Sequence, residues 1–124
     1  MNTILIVEDN EKNMKLARDV LQAKGYATLE AVTGEEGVRA AIENKPDLVL
    51  MDIHLPGIDG IEALRQVRAD PGCAAIPIIA FTASVMQADR SEIQAAGFDG
   101  FLGKPINLKE FLETIKRLLE SGRP

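Results

Sequence analysis

The chain has 124 residues and a formal charge of −5, from 14 basic against 19 acidic side chains, so nucleic acid or an anionic membrane cannot be held by bulk electrostatics. An apolar share of 46% with 27% charged residues excludes a disordered segment and suits one compact domain. The single cysteine, Cys73, rules out an internal disulfide, and no apolar run approaches the roughly 20 residues that span a bilayer.

Ile4-Leu5-Ile6-Val7 is a short continuous apolar run, the pattern of a strand buried on both faces, and Glu8 and Asp9 follow it. The first helical stretch has Leu16 and Val20 as its inner stripe. Met14, Ala17 and Leu21 extend its apolar character round the cylinder, and Gly25 marks its stop. Ala27-Thr28-Leu29-Glu30-Ala31 is a weaker, flanking strand. Thr33 with Glu36 has the spacing of a capping box and opens a second helix.

Leu48-Val49-Leu50-Met51 repeats the buried-strand pattern and is followed by Asp52; Asp59 with Glu62 opens the third helix. Cys73 falls in the loop Asp70-Pro71-Gly72-Cys73 and reads as a small loop residue. Ile76-Pro77-Ile78-Ile79-Ala80-Phe81 is the next strand, ended by Thr82 and Ala83. Ser84 with Gln87 starts a fourth helix that stops at Gly97. Gly100-Phe101-Leu102-Gly103 is the last flanking strand, followed by Lys104 and Pro105. Asn107 with Glu110 opens the final helix, whose stripe is Leu108, Phe111, Leu112, Ile115, Leu118 and Leu119. It stops at Gly122, and residues 121–124 read as a loose tail.

Five alternations of strand and helix predict an α/β domain over residues 1–124: a five-stranded, mostly parallel sheet with helices on both faces. No linker, repeat or second domain is visible. Sites in such sheets form at the carboxyl ends of the strands, near the point where strand order reverses. The residues following the strands are Glu8 and Asp9, then Asp52, then Thr82, then Lys104. Carboxylates gathered that closely repel one another, and a hard cation relieves them. Mg²⁺ prefers oxygen, keeps several waters and uses one or two protein carboxylates plus a phosphate, so the set suits phosphoryl transfer. In that reading Asp52 attacks in line, the metal and Lys104 spread the charge of the transferring group, and Thr82 hydrogen-bonds the new phosphoryl oxygen. Taken singly, each residue has a duller account: strand-end polarity for Glu8 and Asp9, a loop start for Asp52, a cap for Thr82, a solvated charge for Lys104. Their coincidence at the right strand ends carries the argument. His54 is the only histidine and has no Cys or His partner for zinc.

Val7-Glu8-Asp9-Asn10, the segment from Met51 to Gly60, Phe81-Thr82-Ala83 and Gly103-Lys104-Pro105 resemble the signature blocks of response-regulator receiver domains, the CheY-like family. The resemblance covers essentially the whole chain and is nearest to single-domain regulators of bacterial cell division and polarity. It implies the flavodoxin-like (βα)5 fold, with Asp52 as the phosphorylated aspartate. It also implies an Mg²⁺ site, Mn²⁺ able to substitute, in which Asp9 and Asp52 bind directly, Glu8 through water, and His54 through its backbone carbonyl. Thr82 matches the switch hydroxyl, Lys104 the phosphate-binding lysine and Phe101 the aromatic switch position; the Lys104–Pro105 bond is expected to be cis. Glu8 stands where aspartate is more usual and Phe101 where tyrosine is common. His54 and Ser84 fall where receivers tune phosphoryl lifetime.

By the same resemblance the protein is not an enzyme beyond its own phosphorylation and dephosphorylation. Its partners would be a histidine kinase or phosphotransferase, and a downstream protein reading the face of the fourth helix, fifth strand and fifth helix. No nucleic acid or membrane is expected, nor more than a monomer or weak dimer. A start without a basic segment leading into an apolar run implies a cytoplasmic protein. The broad apolar stripe of the first helix reads either as core or as a docking contact, through Asn10, Asn13, Met14 and Ala17, for the histidine-bearing helix of the partner. Three alternatives remain: a receiver module of a hybrid kinase, an aspartate-nucleophile phosphohydrolase, and an FMN binder. His54 lies where the phosphohydrolase would have a second acid. Glu8 and Asp9 would repel the FMN phosphate, and the chain has no Trp and one Tyr on which to stack a flavin.

Overall fold

A computed structural model describes residues 2–82 and 87–123, with the backbone alone for 87–90. The elements alternate as expected: β1 (Thr3–Val7), α1 (Glu11–Ala23), β2 (Ala27–Ala31), α2 (Gly34–Asn44), β3 (Leu48–Asp52), α3 (Gly60–Ala69), β4 (Ile78–Thr82), α4 (Gln87–Ala96), β5 (Gly100–Gly103) and α5 (Leu108–Ser121). The five strands form one parallel sheet in the order β2-β1-β3-β4-β5. The chain leaves β1 toward one edge and β3 toward the other, so the crevice above these neighbours is the switch point where parallel sheets bind ligands.

Alternation along the buried strands divides the core in two. Ile4, Ile6, Leu48, Leu50, Ile79 and Phe81 meet Met14, Ala17 and Leu21 of α1 and Phe111, Ile115 and Leu118 of α5. Leu5, Val7, Val49, Met51, Ile78 and Ala80 face the other way, against α2, α3 and α4. β1, β3 and β4 are thus covered on both faces, which is why they read as unbroken apolar runs.

Helix starts follow the sequence signals. Thr33 Oγ1, Asp59 Oδ1 and Asn107 Oδ1 accept from the amides of Glu36, Glu62 and Glu110. The return arm of the first box differs by one residue: Glu36 takes the amide of Val32, not that of Thr33. Asn10 also caps α1 through the amide of Asn13, without the Glu or Gln three residues on that marks a capping box. Ala83 and Ser84, expected to end β4 and cap α4, lie outside the described residues.

Three expectations differ from the structure, and the reading of Cys73 as a small loop residue gains detail. The inner stripe of α1 is Met14, Ala17 and Leu21, all buried, while Leu16 is 47% exposed and Val20 only half-buried. Met14 and Ala17 are therefore core residues that a docking partner cannot reach. On α5, Leu108 stays exposed at the first position of the helix. β4 begins at Ile78: Pro77 has no N–H, and its carbonyl receives Val49 N at the strand mouth. Cys73 sits in a 3₁₀ turn over Pro71–Cys73, fully buried, with Sγ 3.6 Å from the Ala41 carbonyl oxygen. Burial pushes its thiol pKa up, so it is packing rather than a reactive group.

At the amino-terminal end of the sheet, Asp99 is a buried hub. Its carboxylate accepts from Arg68 at 2.7 Å, Arg123 at 2.9 Å and the Ile78 amide at 2.9 Å. Arg68 also donates to the carbonyls of Cys73 and Ile76, and Arg123 to that of Ala74. No helix among the described residues is long and apolar enough to cross a membrane.

Candidate functional site

β1 and β3 lie side by side in register, Val7 against Met51, so the residues beyond them emerge together at the carboxyl edge. Glu8, Asp9 and Asp52 each place a carboxylate oxygen within 4.8 Å of the others. Glu8 and Asp52 are buried, Asp9 exposed. The ligand types are all hard oxygen, the preference of Mg²⁺ or Mn²⁺, and carboxylates so crowded favour a divalent ion between them. The residues present therefore fit such a cation.

The carboxylates are oriented by other groups. Asp52 Oδ1 accepts the His54 amide at 3.0 Å, while Lys104 Nζ donates to Asp52 Oδ2 at 3.1 Å. Lys104 also donates to Glu8 Oε1, whose other oxygen takes the Asn10 amide at 3.1 Å. With a side chain only 7% exposed, Lys104 bridges Glu8 and Asp52, its ammonium 4.8 Å from the ring centre of Phe81. Burial pushes the Glu8 carboxyl up to about 7; the bond from Lys104 pulls it down, and neighbouring Asp52 pushes it up again.

The β4–β5 pair completes the site. Thr82 is opposite Gly103 in the ladder, and the Lys104 amide donates to the Thr82 carbonyl at 2.8 Å. Thr82 Oγ1 is buried and lacks a hydrogen-bond partner among the described residues. Thr82 lines a cleft of about 220 Å³ with Ile53, His54, Asp59, Ile61 and Ile93. Phe101, opposite Ala80, is half-buried against the α4 side of the core and borders a separate cavity of about 200 Å³ with Ile93 and Phe98. The Lys104–Pro105 peptide is cis.

Glu8, Asp9, Asp52, Thr82 and Lys104 thus converge at one edge. His54 is exposed, its amide committed to Asp52. Asn10 is exposed and Asn13 half-buried at the start of α1. Sequence reasoning missed Gly60, whose Cα packs on the backbone of the acceptor: a Cβ there would stand 2.3 Å from the Asp52 carbonyl oxygen. The glycine directly after the Asp59 cap was the available signal.

A family model for the response regulator receiver domain matches residues 4–116. The polar-differentiation response regulator DivK of Brucella anthropi is 44% identical over 117 residues, covering 94% of this chain and 95% of that protein. DivK of Brucella ovis matches to the same extent. Among solved structures, the receiver domain of a sensor histidine kinase from Pseudomonas aeruginosa PAO1 superposes with a TM-score of 0.91 at 36% identity, covering 97% of this chain and 98% of that one. That receiver has a magnesium ion coordinated in its active-site cleft. Chemotaxis protein CheY4 of Vibrio cholerae gives a TM-score of 0.88 at 28% identity, over 94% of this chain and 98% of that one.

Proposed function

The chain belongs to the response-regulator receiver family of two-component signalling, and from that premise we propose that Asp52 accepts a phosphoryl group from a phosphohistidine of a kinase or phosphotransferase. The observation that carries the proposal is Lys104 bridging Glu8 and Asp52 at the strand edge where the buried hydroxyl of Thr82 has no partner among the described residues.

In the reaction a carboxylate oxygen of Asp52 forms a bond to phosphorus as the donor's P–N bond breaks. The imidazole leaves and regains a proton. The His54 amide and Lys104 hold the Asp52 carboxylate in place as it attacks. Lys104, already desolvated, exchanges a carboxylate partner for a phosphoryl oxygen, and Thr82 Oγ1 donates to another. Asp9 and Asp52 directly, Glu8 through water and the His54 carbonyl would hold Mg²⁺. When bound, the ion neutralises the gathered carboxylates and the charge of the transferring group.

Displacement of Thr82 toward the phosphoryl group would free room for Phe101 to turn inward, changing the surface made by α4, β5 and α5. A switch from 1:99 to 99:1 takes about 5.5 kcal/mol, within reach of several charge-assisted hydrogen bonds. A downstream protein would read that surface. The DivK likeness supports a role in cell-division or polarity signalling in the cytoplasm. A second reading, a receiver acting within a hybrid kinase, is favoured by the likeness to receiver domains of histidine kinases such as the Pseudomonas one.

The test is labelling by acetyl phosphate followed by intact mass. Wild type should gain one phosphoryl group with Mg²⁺ and none with EDTA; Asp52→Asn should gain none. Undiminished labelling of that variant would remove Asp52 from the role.

A further inference from the structure

We infer that Gly34, the first residue of α2, is a positioning residue for the acceptor loop, acting through Ile58. The inference rests on the receiver reading proposed above.

The backbone of Gly34 is outside the left-handed region, so conformational freedom does not explain a glycine, and alanine would be the better helix former. Space explains it. A methyl group on Gly34 would stand 2.5 Å from the Ile58 carbonyl oxygen and 2.6 Å from Ile58 Cγ1. The nearer atom is backbone, so no rotamer change relieves the clash. The next residue continues the wall: the Glu35 carboxylate lies 2.6 Å from where a Cβ on Gly57 would be, and Gly57 has a φ of +76°. The first turn of α2 is thus the surface on which residues 57–58 rest.

The loop is stopped on its other side by α3. The Gly60 amide donates to the Ile53 carbonyl at 2.9 Å, and its Cα packs against the Asp52 carbonyl. Between these two helix starts runs the segment from Asp52 to Gly60, which carries the acceptor and the His54 peptide. Close packing transmits such a displacement rather than absorbing it. Pushing residue 58 away from α2 must shift the peptides next to Asp52. α2 supplies no ligand, yet through Gly34 it sets where the loop's ligands stand.

The full chain can be compared as wild type, Gly34→Ala, Ile58→Ala and Val67→Ala. The last removes buried apolar atoms from α3 about two turns beyond Gly60, where the loop ends. Mg²⁺ dissociation constants come from titration calorimetry, and thermal midpoints are taken in EDTA. Gly34→Ala should weaken Mg²⁺ binding about tenfold, and Ile58→Ala about threefold, as loss of supporting contacts does at metal sites. Val67→Ala should lower the midpoint while its Mg²⁺ affinity stays within about twofold of wild type. Gly34→Ala within about twofold of wild type, or Val67→Ala weakened as much as Gly34→Ala, overturns the inference alone. Should Gly34→Ala not fold, an unchanged affinity in Ile58→Ala overturns it. A wild type that binds no Mg²⁺ overturns the receiver reading and this inference with it.

Discussion

Glu8 is a side chain whose protonation the fold alters strongly. Its ordinary value of 4.5 rises to about 7, with burial as the largest cause. Between those values the folded protein retains a proton that the unfolded chain has released. In the metal-free protein the stability that Glu8 contributes is therefore fully present below pH 4.5 and is lost as pH rises through about 7. Metal binding has the opposite slope, because the cation needs the charged carboxylate: affinity should climb through about pH 7 and then level off. Glu8→Gln should flatten both dependences, as followed by thermal midpoints in EDTA and by Mg²⁺ titrations. Identical slopes in the variant and wild type would assign the effect elsewhere. The identity of this residue was legible because a carboxylate directly after a buried strand has few places to go. Its proton affinity was not, since that depends on how deeply the fold buries it beside Lys104 and Asp52. The same holds for Gly34 and Gly60, whose meaning is a distance to another segment.

α1 shows where periodicity fails. Both Leu16 and Met14 sit on helical spacing with other apolar residues, and a broad stripe does not reveal its own centre. The structure turns Met14, Ala17 and Leu21 inward and leaves Leu16 outside, on the helix that begins beside the site. Leu16 thereby becomes the apolar side chain of α1 that a partner helix can reach. Leu16→Glu should slow phosphotransfer from the cognate kinase about tenfold, or ~1.4 kcal/mol, with acetyl phosphate labelling unchanged. Equal slowing in both reactions would mean that α1 acts on the chemistry rather than on recognition. Helix starts were read well because a cap is local, spanning three residues. Stops were read less well: α2 ends on Lys45 in the left-handed region, φ +45°, where glycine would be the expected signal.

For the whole molecule, the alternation of strands and helices was visible in the sequence, whereas the order β2-β1-β3-β4-β5 came through family likeness alone. Strand order depends on contacts that no single segment records. The Asp99 hub was equally hidden, since Arg68 and Arg123 lie 31 and 24 residues away from it. Its carboxylate is 4% exposed, and the two arginines retain some water contact at 18% and 34%. Asp99→Ala would strand both guanidinium groups and the Ile78 amide, and should cost about 3 kcal/mol, the lower end for breaking a buried pair. Urea unfolding measures this; a loss below about 1 kcal/mol would reduce the hub to a surface ion pair.

That hub gives the molecule a floor. The starts of β4 and β5 are bolted to one carboxylate, while their far ends carry Thr82 and Lys104, joined by the bond from the Lys104 amide to the Thr82 carbonyl. β4 is also laddered to β3 along its length, so a pull toward a phosphoryl group would act on a lever braced at Asp99 and along β3, with most freedom at its tip. Thr82 and Lys104 are neighbouring tips of that lever, so a tug on one loads the other.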